Sequence, residues 1–390
     1  MAGRAHAAGY RSATTLYGAS LPEVRLVAVA DVNHELGADA ARRFGYERAE
    51  PGWEAIAAAP EIDVVSVVVA NSLHREIVAG LLYAGKHVLC DKPLAASVAD
   101  AEAMVAAASA SPQETAVGFT YRWSPAVNAI KEQLVGGGIG APLHFSGHYW
   151  CDYACDPDRP MSWRYKGGAG SGALADVGSH LIDVAELLCG PIESVSGAVL
   201  RTFVDERALP LRPAVGHAAA PLSDVREAVE NEDLVTFSVT FASGAVGTLS
   251  ASRIAYGHPN SLAFDLLTQL GGATFDVERP GEFGFIDGSG AGVTEGYRRV
   301  AVGPAHPYIT KGLPMDSPGV SHGHNDLFSF QARAFLEQVA GVEGLPRCAS
   351  FEEGLRSLRL NQAIVASGAS GGAAITIGGD GTPAAAARAR

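Results

Sequence analysis

The stretch that decides the fold is residues 64–93, VVSVVVANSLHREIVAGLLYAGKHVLCDKP. Its opening run, 64–70, is almost wholly apolar and rich in valine, which is typical of a strand buried on both faces of a parallel sheet. Helical periodicity over His74–Tyr83 follows, and residues 87–90 are a second apolar strand. A strand, a helix and a strand in this order predict a right-handed βαβ unit.

The same alternation extends outward from this stretch in both directions. Residues 24–30, VRLVAVA, are predicted to form another apolar strand, which is also expected to be buried on both faces. The pattern predicts helices at 4–17, 35–44, 53–59 and 98–108, and a further strand at 115–119. Alternating strands and helices predict a doubly wound parallel sheet of the Rossmann type over residues 1–122.

One part of this domain is missing from the sequence. A dinucleotide-binding fold is expected to open with an apolar strand and G-x-G-x-x-G, whose glycines admit a pyrophosphate at a helix N-terminus. Here the chain passes from Met1-Ala2-Gly3 straight into the first predicted helix. We therefore expect a domain without its first strand, in which Gly3 is the last glycine of the fingerprint.

The sequence becomes rich in strands after about residue 141. The predicted strands are 143–150, 192–203, 234–241, 245–253, 261–267 and 272–277, and the predicted helices are 327–339 and 351–368. Polar and apolar residues alternate in several strands, and Ser243-Gly244 predicts a hairpin turn. Asn325 or Asp326 is the predicted N-cap of the first helix. These patterns predict an α+β domain with a mainly antiparallel open sheet over 123–370, followed by a tail at 371–390.

Composition excludes several classes of protein. The length of 390 residues suits two domains, and the formal net charge of −13 disfavours nucleic acid and anionic membrane surfaces as partners. No apolar run approaches the length of a membrane span, and the odd number of cysteines, 5, predicts a reducing, cytoplasmic location. His148, Cys151 and Cys155 have poor spacing for a zinc site, so we expect no metal.

In a doubly wound sheet, ligands bind beyond the carboxyl ends of the strands. Asp31 follows the first apolar strand of this sequence, where a carboxylate accepts hydrogen bonds from the adenosine ribose and disfavours a 2′-phosphate. Asp31 thus favours NAD, with NADP as the alternative cofactor, although acids are also common in the turns that end strands. The other residues at this edge are 71–74, 91–93, Tyr121 and Arg122.

Two motifs resemble the signatures of the Gfo/Idh/MocA oxidoreductases. Cys90-Asp91-Lys92-Pro93 resembles the E-K-P motif of that family, with Asp91 in place of glutamate. Residues 168–183, GAGSGALADVGSHLID, resemble its second signature, G-G-G-x-x-x-D-x-G-x-H-x-x-D, with Ser171 interrupting the glycines. The resemblance covers about residues 3–370. It implies an NAD(P)-dependent oxidoreductase that transfers a hydride between a sugar, inositol or related polyol and the nicotinamide.

The resemblance also implies roles for individual residues. His180 would be the general acid/base, Lys92 would stabilise the alkoxide and relay the proton, and Asp176 would orient the substrate hydroxyl and the histidine. These residue types suit alcohol oxidation, which needs a base and a cation near the developing alkoxide. Asp176 and His180 are four apart in a predicted helix, so they share a face.

Further contacts follow from the same resemblance. The implied cofactor contacts are Gly3, Asp31, Asn71, Ser72, His74, Asp91, Lys92, Pro93, Trp163 and Arg164, and the implied substrate contacts are Lys92, Tyr121, Trp163, Asp176 and His180. Packing roles remain the alternative for Trp163, Arg164 and Tyr121, and Asp183 has either a structural role or a substrate contact. A homodimer or homotetramer is implied because the sheet often packs against a partner subunit in this family.

Two other functions remain open. Some relatives keep NAD bound and cleave glycosides through transient oxidation, so an NAD-dependent glycoside hydrolase is the first alternative. A non-catalytic dinucleotide-binding sensor is the second. Lys92, Asp176 and His180 argue against a sensor, whereas the missing first strand argues for some loss of function.

The missing strand generates a prediction of its own. It would lie centrally in the sheet, so its absence leaves backbone groups of both neighbours unpaired. We expect a native product that is longer by ~10–20 residues, the length of a strand and its glycine turn. Intact mass from the native source measures this. A mass equal to 390 residues, with tight NAD binding by that species, would contradict it.

Overall fold

The computed structural model of the chain describes residues 2–16, 21–167, 171–212, 219–288, 296–310, 313–317, 319–379 and 381–384. The chain packs into two compact units, which we call the N-terminal unit, Met1–Pro125 with Gly303–Leu355, and the C-terminal unit, Ala126–Val302 with Arg356–Arg390. The first division lies close to the predicted boundary after residue 122. Residues 303–355, which we assigned to the second domain, pack with the N-terminal unit instead.

Helices and strands alternate in the first part of the chain and strands dominate the second. The helices are α1 Ala2–Leu16, α2 His34–Phe44, α3 Trp53–Ala58, α4 His74–Tyr83, α5 Val98–Ser109, α6 Pro125–Val135, α7 Ser179–Cys189, α8 His324–Ala340 and α9 Phe351–Ala369. The strands are β1 Ala28–Ala30, β2 Arg48–Glu50, β3 Val64–Val67, β4 His87–Asp91, β5 Thr115–Gly118, β6 Pro142–Trp150, β7 Ile192–Arg201, β8 Glu206–Pro210, β9 Leu222–Ala228, β10 Leu234–Phe241, β11 Val246–Ser252, β12 Ser261–Thr268, β13 Gly272–Asp276, β14 Glu282–Ile286, β15 Arg298–Ala301, β16 Ile375–Ile377 and β17 Pro383–Ala384.

The N-terminal unit contains parallel strands with helices between them, which confirms the predicted Rossmann-type class. β3, β4 and β5 form one parallel sheet, and β1 pairs with β2 in a separate parallel pair. Within the described residues, β1 has a strand neighbour only in β2, and β3 only in β4. The predicted burial on both faces is wrong for β1, all of which is half-buried, and for most of β3. Within the described residues each of these two strands is paired on one side only, so fewer neighbouring side chains cover it.

Helix α8 packs closely against α1 and so belongs to the N-terminal unit. A Cβ atom on Gly9 would lie only 2.6 Å from the carbonyl oxygen of Phe328, so only glycine permits this approach. The predicted N-cap of α8 is corrected, because the helix begins at His324 after Gly323. Asp326 lies in its first turn, where its carboxylate accepts a hydrogen bond from the Gly323 N–H at 2.7 Å.

The C-terminal unit is built on a ten-stranded sheet with the order β15-β14-β13-β12-β6-β11-β10-β7-β16-β17. β6 and β11 are parallel and the other neighbours are antiparallel, which confirms the predicted mainly antiparallel sheet. Buried and open positions alternate along β10, whose bounds the sequence predicted correctly. The predicted hairpin is present, with Gly244 at φ 85°. The hairpin of β8 and β9 was not predicted.

Candidate active site

The carboxyl ends of β3, β4 and β5 lie along one edge of the N-terminal unit because these strands are parallel. A 3₁₀ turn, Asn71–Leu73, follows β3, the Lys92-Pro93 peptide follows β4, and a second 3₁₀ turn, Thr120–Trp123, follows β5. The predicted residues that follow these three strands, Asn71, Ser72, Asp91, Lys92, Pro93 and Tyr121, therefore lie along the same edge of this sheet. This edge is where an open α/β sheet binds ligands.

Lys92 follows β4, the central strand of the three-stranded sheet in this unit. β4 has a strand on each side, and Val88, Leu89 and Cys90 are fully buried. The Asp91 carboxylate accepts a hydrogen bond from the Lys92 backbone N–H at 2.9 Å, and the Lys92-Pro93 peptide bond is cis. The lysine is half-buried at the point where the strand gives way to the loop.

His74 supports the loop that carries Lys92. It is buried, and its Nδ1 lies 3.1 Å from the carbonyl oxygens of both Pro93 and Leu94. Its Nε2 lies 3.3 Å from the carbonyl oxygen of Val69. Burial lowers the pKa of His74, which favours the neutral ring. The imidazole thus connects the end of β3 with the loop after β4.

The other predicted residues of this unit differ in their exposure. Asp31 is half-buried, and its Oδ1 accepts a hydrogen bond from the Asn33 N–H at 2.8 Å. Gly3 lies in the first turn of α1, and a Cβ atom there would meet nothing within 4 Å. Tyr121 is buried, with its ring 5.2 Å from that of His324. An acid, an open glycine and a polar turn are groups that suit a dinucleotide.

In the C-terminal unit, Asp176 lies in a π-helical turn, Leu174–Gly178, that leads directly into α7. His180 is the second residue of α7, so the two side chains are about one turn apart. The Asp176 Oδ2 accepts a hydrogen bond from the Tyr153 hydroxyl at 2.7 Å. His180 is buried, with its ring 6.1 Å from that of Tyr149, and Asp183 is buried in the next turn. π-Turns within helices occur frequently at functional sites.

Glu232 holds the start of this π-helical turn. Its backbone carbonyl accepts a hydrogen bond from the Ala173 N–H at 3.1 Å, and its Oε1 accepts one from the Leu174 N–H at 2.8 Å. Gly172 has φ 65°, and a Cβ atom there would lie 2.7 Å from the Glu232 carbonyl oxygen. This glycine of the signature therefore permits both the turn and the close approach. Burial raises the pKa of Glu232 to about 7.

Asn231 fixes the loop that carries Trp163 and Arg164. Its Nδ2 donates to the carbonyl oxygens of Arg164 at 2.9 Å and Lys166 at 3.1 Å, and to Ser171 Oγ at 2.8 Å. Trp163 is 50% exposed, and the Arg164 guanidinium lies 4.6 Å from its ring centroid. Gly168–Gly170, the first residues of the second signature, lie outside the described residues.

A buried ion pair lies behind this loop. Arg253 Nε donates to Asp233 Oδ1 at 2.8 Å, and both side chains are fully buried. Arg253 also donates to the Arg164 carbonyl oxygen at 3.1 Å and to Asn231 Oδ1 at 2.9 Å. Sequence reasoning missed this pair and Tyr153. The one available signal was charge at the ends of apolar strands, since Asp233 precedes β10 and Arg253 follows β11.

The residues considered for zinc lie in other arrangements. His148 stacks on Trp150 with ring centroids 3.8 Å apart, and Cys151 Sγ lies 3.8 Å from Asn260 Oδ1. Across the described ranges, no group of three or more His, Cys, Asp or Glu side chains is arranged to hold a metal ion. No helix among those ranges is both long enough and apolar enough to cross a bilayer.

Two family models match the chain. The model described as "Oxidoreductase family, NAD-binding Rossmann fold" matches residues 1–119, and that described as "GFO/IDH/MocA C-terminal domain" matches residues 127–272. The first contains Lys92 and the edge around it. The second contains Tyr153, Asp176, His180 and Glu232.

Individual relatives match nearly end to end. Levoglucosan dehydrogenase from Pseudarthrobacter phenanthrenivorans is 37% identical over 376 residues, which are 94% of this chain and 93% of the relative. A solved levoglucosan dehydrogenase in complex with NADH and levoglucosan is 34% identical, with a TM-score of 0.84 and 96% of each chain covered. An NAD-binding oxidoreductase from Klebsiella pneumoniae is 31% identical, with a TM-score of 0.84 and 96% of each chain covered.

Glu232→Gln tests the support at the start of the π-helical turn. The raised pKa of about 7 means that the folded chain keeps a proton that the unfolded chain has released above pH ~4.5, so this group costs stability as pH rises from about 4.5 to 7. Glutamine keeps an oxygen for the Leu174 N–H without the charge. We expect the variant to be more stable than the wild type at pH 8, by up to ~3 kcal/mol, and equally stable at pH 4.

Urea unfolding at pH 4, 6 and 8 measures this difference. Glu193→Gln is the matched control because it removes the same charge at a position on β7 that is exposed to solvent. A Glu232→Gln variant that gains no stability between pH 4 and pH 8 would contradict the assigned burial effect.

Proposed function

Because the chain belongs to the GFO/IDH/MocA oxidoreductase family, we propose that it oxidises one hydroxyl group of a sugar or polyol with NAD as the hydride acceptor. The observation that carries the proposal is the location of its signature residues. Lys92 follows β4, a largely buried strand with a strand on each side, and Asp176 and His180 lie about one turn apart where the π-helical turn meets α7. Lysine, aspartate and histidine in such supported positions suit proton transfer and charge stabilisation.

In the proposed mechanism, Lys92, Asp176 and His180 act on the same substrate hydroxyl. His180 accepts the hydroxyl proton as general base, and the Lys92 ammonium stabilises the negative charge that develops on oxygen. Asp176 orients the hydroxyl and the histidine. NAD, when bound, supplies the hydride acceptor. The reverse reaction uses the same groups with His180 as the acid.

The N-terminal unit offers residues that fit the cofactor. Asp31 would accept hydrogen bonds from the adenosine ribose, and Gly3 at the start of α1 leaves space for the pyrophosphate. The residues proposed to contact the rest of the cofactor are Asn71, Ser72, Asp91, Lys92, Pro93, Trp163 and Arg164. His74 would contribute through the loop, since both of its ring nitrogens lie against backbone carbonyls.

A cyclic sugar is the proposed substrate, and levoglucosan is the first compound to test because it is the named substrate of the relative that matches nearly end to end. Trp163 would pack its half-exposed ring against a sugar face. Tyr121, Lys92, Asp176 and His180 would contact the hydroxyl groups.

The proposal extends to assembly and location. We propose a homodimer or homotetramer formed through the open face of the ten-stranded sheet, where the partly exposed His148 and Trp150 stack on each other. We also propose a cytoplasmic location, which is supported by the free thiols of all five cysteines.

A substrate panel with NAD and NADP tests the activity. Levoglucosan, inositols, aldoses and sugar acids are followed by NADH absorbance, and chromogenic glycosides without added NAD are followed by aglycone release. We expect NADH formation with a cyclic sugar. Aglycone release without NADH formation would favour the glycoside hydrolase instead, and nucleotide binding without any turnover would favour the sensor.

Lys92→Ala and His180→Ala test the proposed catalytic group. We expect each to lower kcat by at least roughly 10²-fold on the substrate found, the scale for losing a proton-transfer or charge-stabilising group. His34→Ala is the control because His34 is exposed on α2. Circular dichroism melting checks that all three variants fold. Near-normal kcat in folded Lys92→Ala or His180→Ala would refute the mechanism.

Asp31 generates a prediction about the cofactor. The wild type should have a higher kcat/KM with NAD than with NADP, since the carboxylate repels a 2′-phosphate and neither Val32 nor Asn33 supplies a positive charge. Asp31→Asn keeps an oxygen for the Asn33 N–H and removes the charge. We expect it to narrow the NAD preference about tenfold. A wild-type preference for NADP would overturn this role of Asp31.

A further inference from the structure

Tyr153 lies outside both sequence signatures and is hydrogen-bonded to one of their residues. Its hydroxyl donates to Asp176 Oδ2 at 2.7 Å, within the C-terminal unit. A tyrosine hydroxyl that donates to a carboxylate forms a charge-assisted hydrogen bond, which is shorter and stronger than a neutral one. The bond therefore restrains rotation of the Asp176 side chain and stabilises the negative charge on its carboxylate.

The backbone on both sides of Tyr153 is fixed. The Cys151 N–H donates to the Ser252 carbonyl oxygen at 2.8 Å, and the Ala154 N–H donates to the Arg253 carbonyl oxygen at 3.0 Å. Arg207 Nη2 donates to the Ala154 carbonyl oxygen at 2.6 Å. The first two bonds attach the segment to the end of β11 and the third attaches it to β8, so the phenol approaches Asp176 from a rigid support.

The Tyr153 ring also has a defined apolar environment. It packs against the cluster of Ala154, Met161 and Tyr165. The Tyr165 ring is in contact with two guanidinium groups, that of Arg207 at 4.2 Å and that of Arg253 at 4.7 Å from the ring centroid. A side chain with both its ring and its backbone held loses little further entropy when its hydroxyl binds Asp176.

The environment of the Tyr153 hydroxyl keeps it protonated, so that it donates its hydrogen bond to Asp176. Burial, with the nearby Asp176 charge as the next cause, raises the pKa of Tyr153 well above its ordinary value, so the phenol stays protonated at neutral pH. Besides Asp176, the charged or titratable groups that act on Tyr153 include Arg253 and Cys151. A protonated phenol beside a carboxylate favours the ionised form of that carboxylate.

We propose that Tyr153 is the positioning residue of the active site, which holds Asp176 ionised and in the orientation that Asp176 needs to act on His180 and the substrate hydroxyl. The inference rests on the proposed function for the role of Asp176. It adds a residue to the machinery that neither signature contains. Tyr153 acts through Asp176 and takes no proton from the substrate.

The test combines Tyr153→Phe, Asp176→Asn and the double variant in the full chain. We expect Tyr153→Phe to lower kcat about tenfold, the scale for losing a hydrogen bond to a charged group, with little change in KM. The acid limb of the kcat profile should move to higher pH by about one unit, since the carboxylate loses a donor. In the Asp176→Asn background, Tyr153→Phe should have no further effect on kcat.

Tyr165→Phe is the matched control, because it removes a hydroxyl from the same cluster without touching Asp176. A loss of packing alone would lower the melting temperature of Tyr153→Phe and leave the acid limb in place. That result, or an equal loss of kcat in the Asp176→Asn background, would overturn the proposal.

A readout without turnover separates this inference from the proposed function. In protein labelled with carbon-13 at the aspartate carboxyl groups, the Asp176 signal is assigned by its loss in Asp176→Asn. Its titration midpoint should lie about one unit higher in Tyr153→Phe than in the wild type. An unmoved midpoint overturns the inference even if the enzyme is active. A moved midpoint in a chain that oxidises nothing in the panel supports the Tyr153–Asp176 bond and refutes the proposed function.

Discussion

The buried ion pair of Arg253 and Asp233 is the constraint on which the C-terminal half of the candidate site depends. Removing two charges from water is favourable only if their remaining hydrogen-bonding groups also find partners. Asp233 Oδ2 accepts from the Phe203 and Val204 N–H groups, and Arg253 donates to Asn231 and to the Arg164 backbone. Satisfying the pair therefore ties together the end of β11, the start of β10 and the loop around Arg164.

Asn231 and Glu232, which precede Asp233 in the chain, connect this ion pair to the second signature by hydrogen bonds. Asn231, two residues before Asp233, binds three acceptors along the loop up to Ser171. Glu232, between them, accepts hydrogen bonds from the Ala173 and Leu174 N–H groups at the start of the π-helical turn. In the three consecutive residues Asn231-Glu232-Asp233, the first thus binds the loop, the second binds the π-helical turn and the third forms the ion pair. This sharing explains why two buried acids lie side by side at the start of an apolar strand.

Local sequence patterns predicted most of the helices and strands. They did not predict the residues that support the candidate site. The bounds of α4 and β10 follow from helical periodicity and strict alternation, which are properties of neighbouring residues. Tyr153 lies 23 positions from Asp176, and Arg253 lies 20 from Asp233, so only the folded chain brings them together. The π-helical turn has no residue pattern of its own. Sequence also overestimated the burial of β1 and β3, because burial depends on neighbouring strands and not on apolar composition alone.

The number of neighbouring strands also distinguishes the supports of Lys92 and Asp31, the two proposed ligand-binding residues of the N-terminal unit. Lys92 follows β4, which is hydrogen-bonded on both sides, and the side chains of Val88 and Leu89 are fully buried. Asp31 follows β1, which has three residues, is half-buried and pairs on one side within the described residues. Strands with fewer pairing and packing partners open at lower free energy. The fold therefore holds Lys92, proposed to stabilise the alkoxide, more firmly than Asp31, proposed to bind the adenosine ribose. Local opening at β1 would weaken the selection of NAD over NADP before it displaced Lys92.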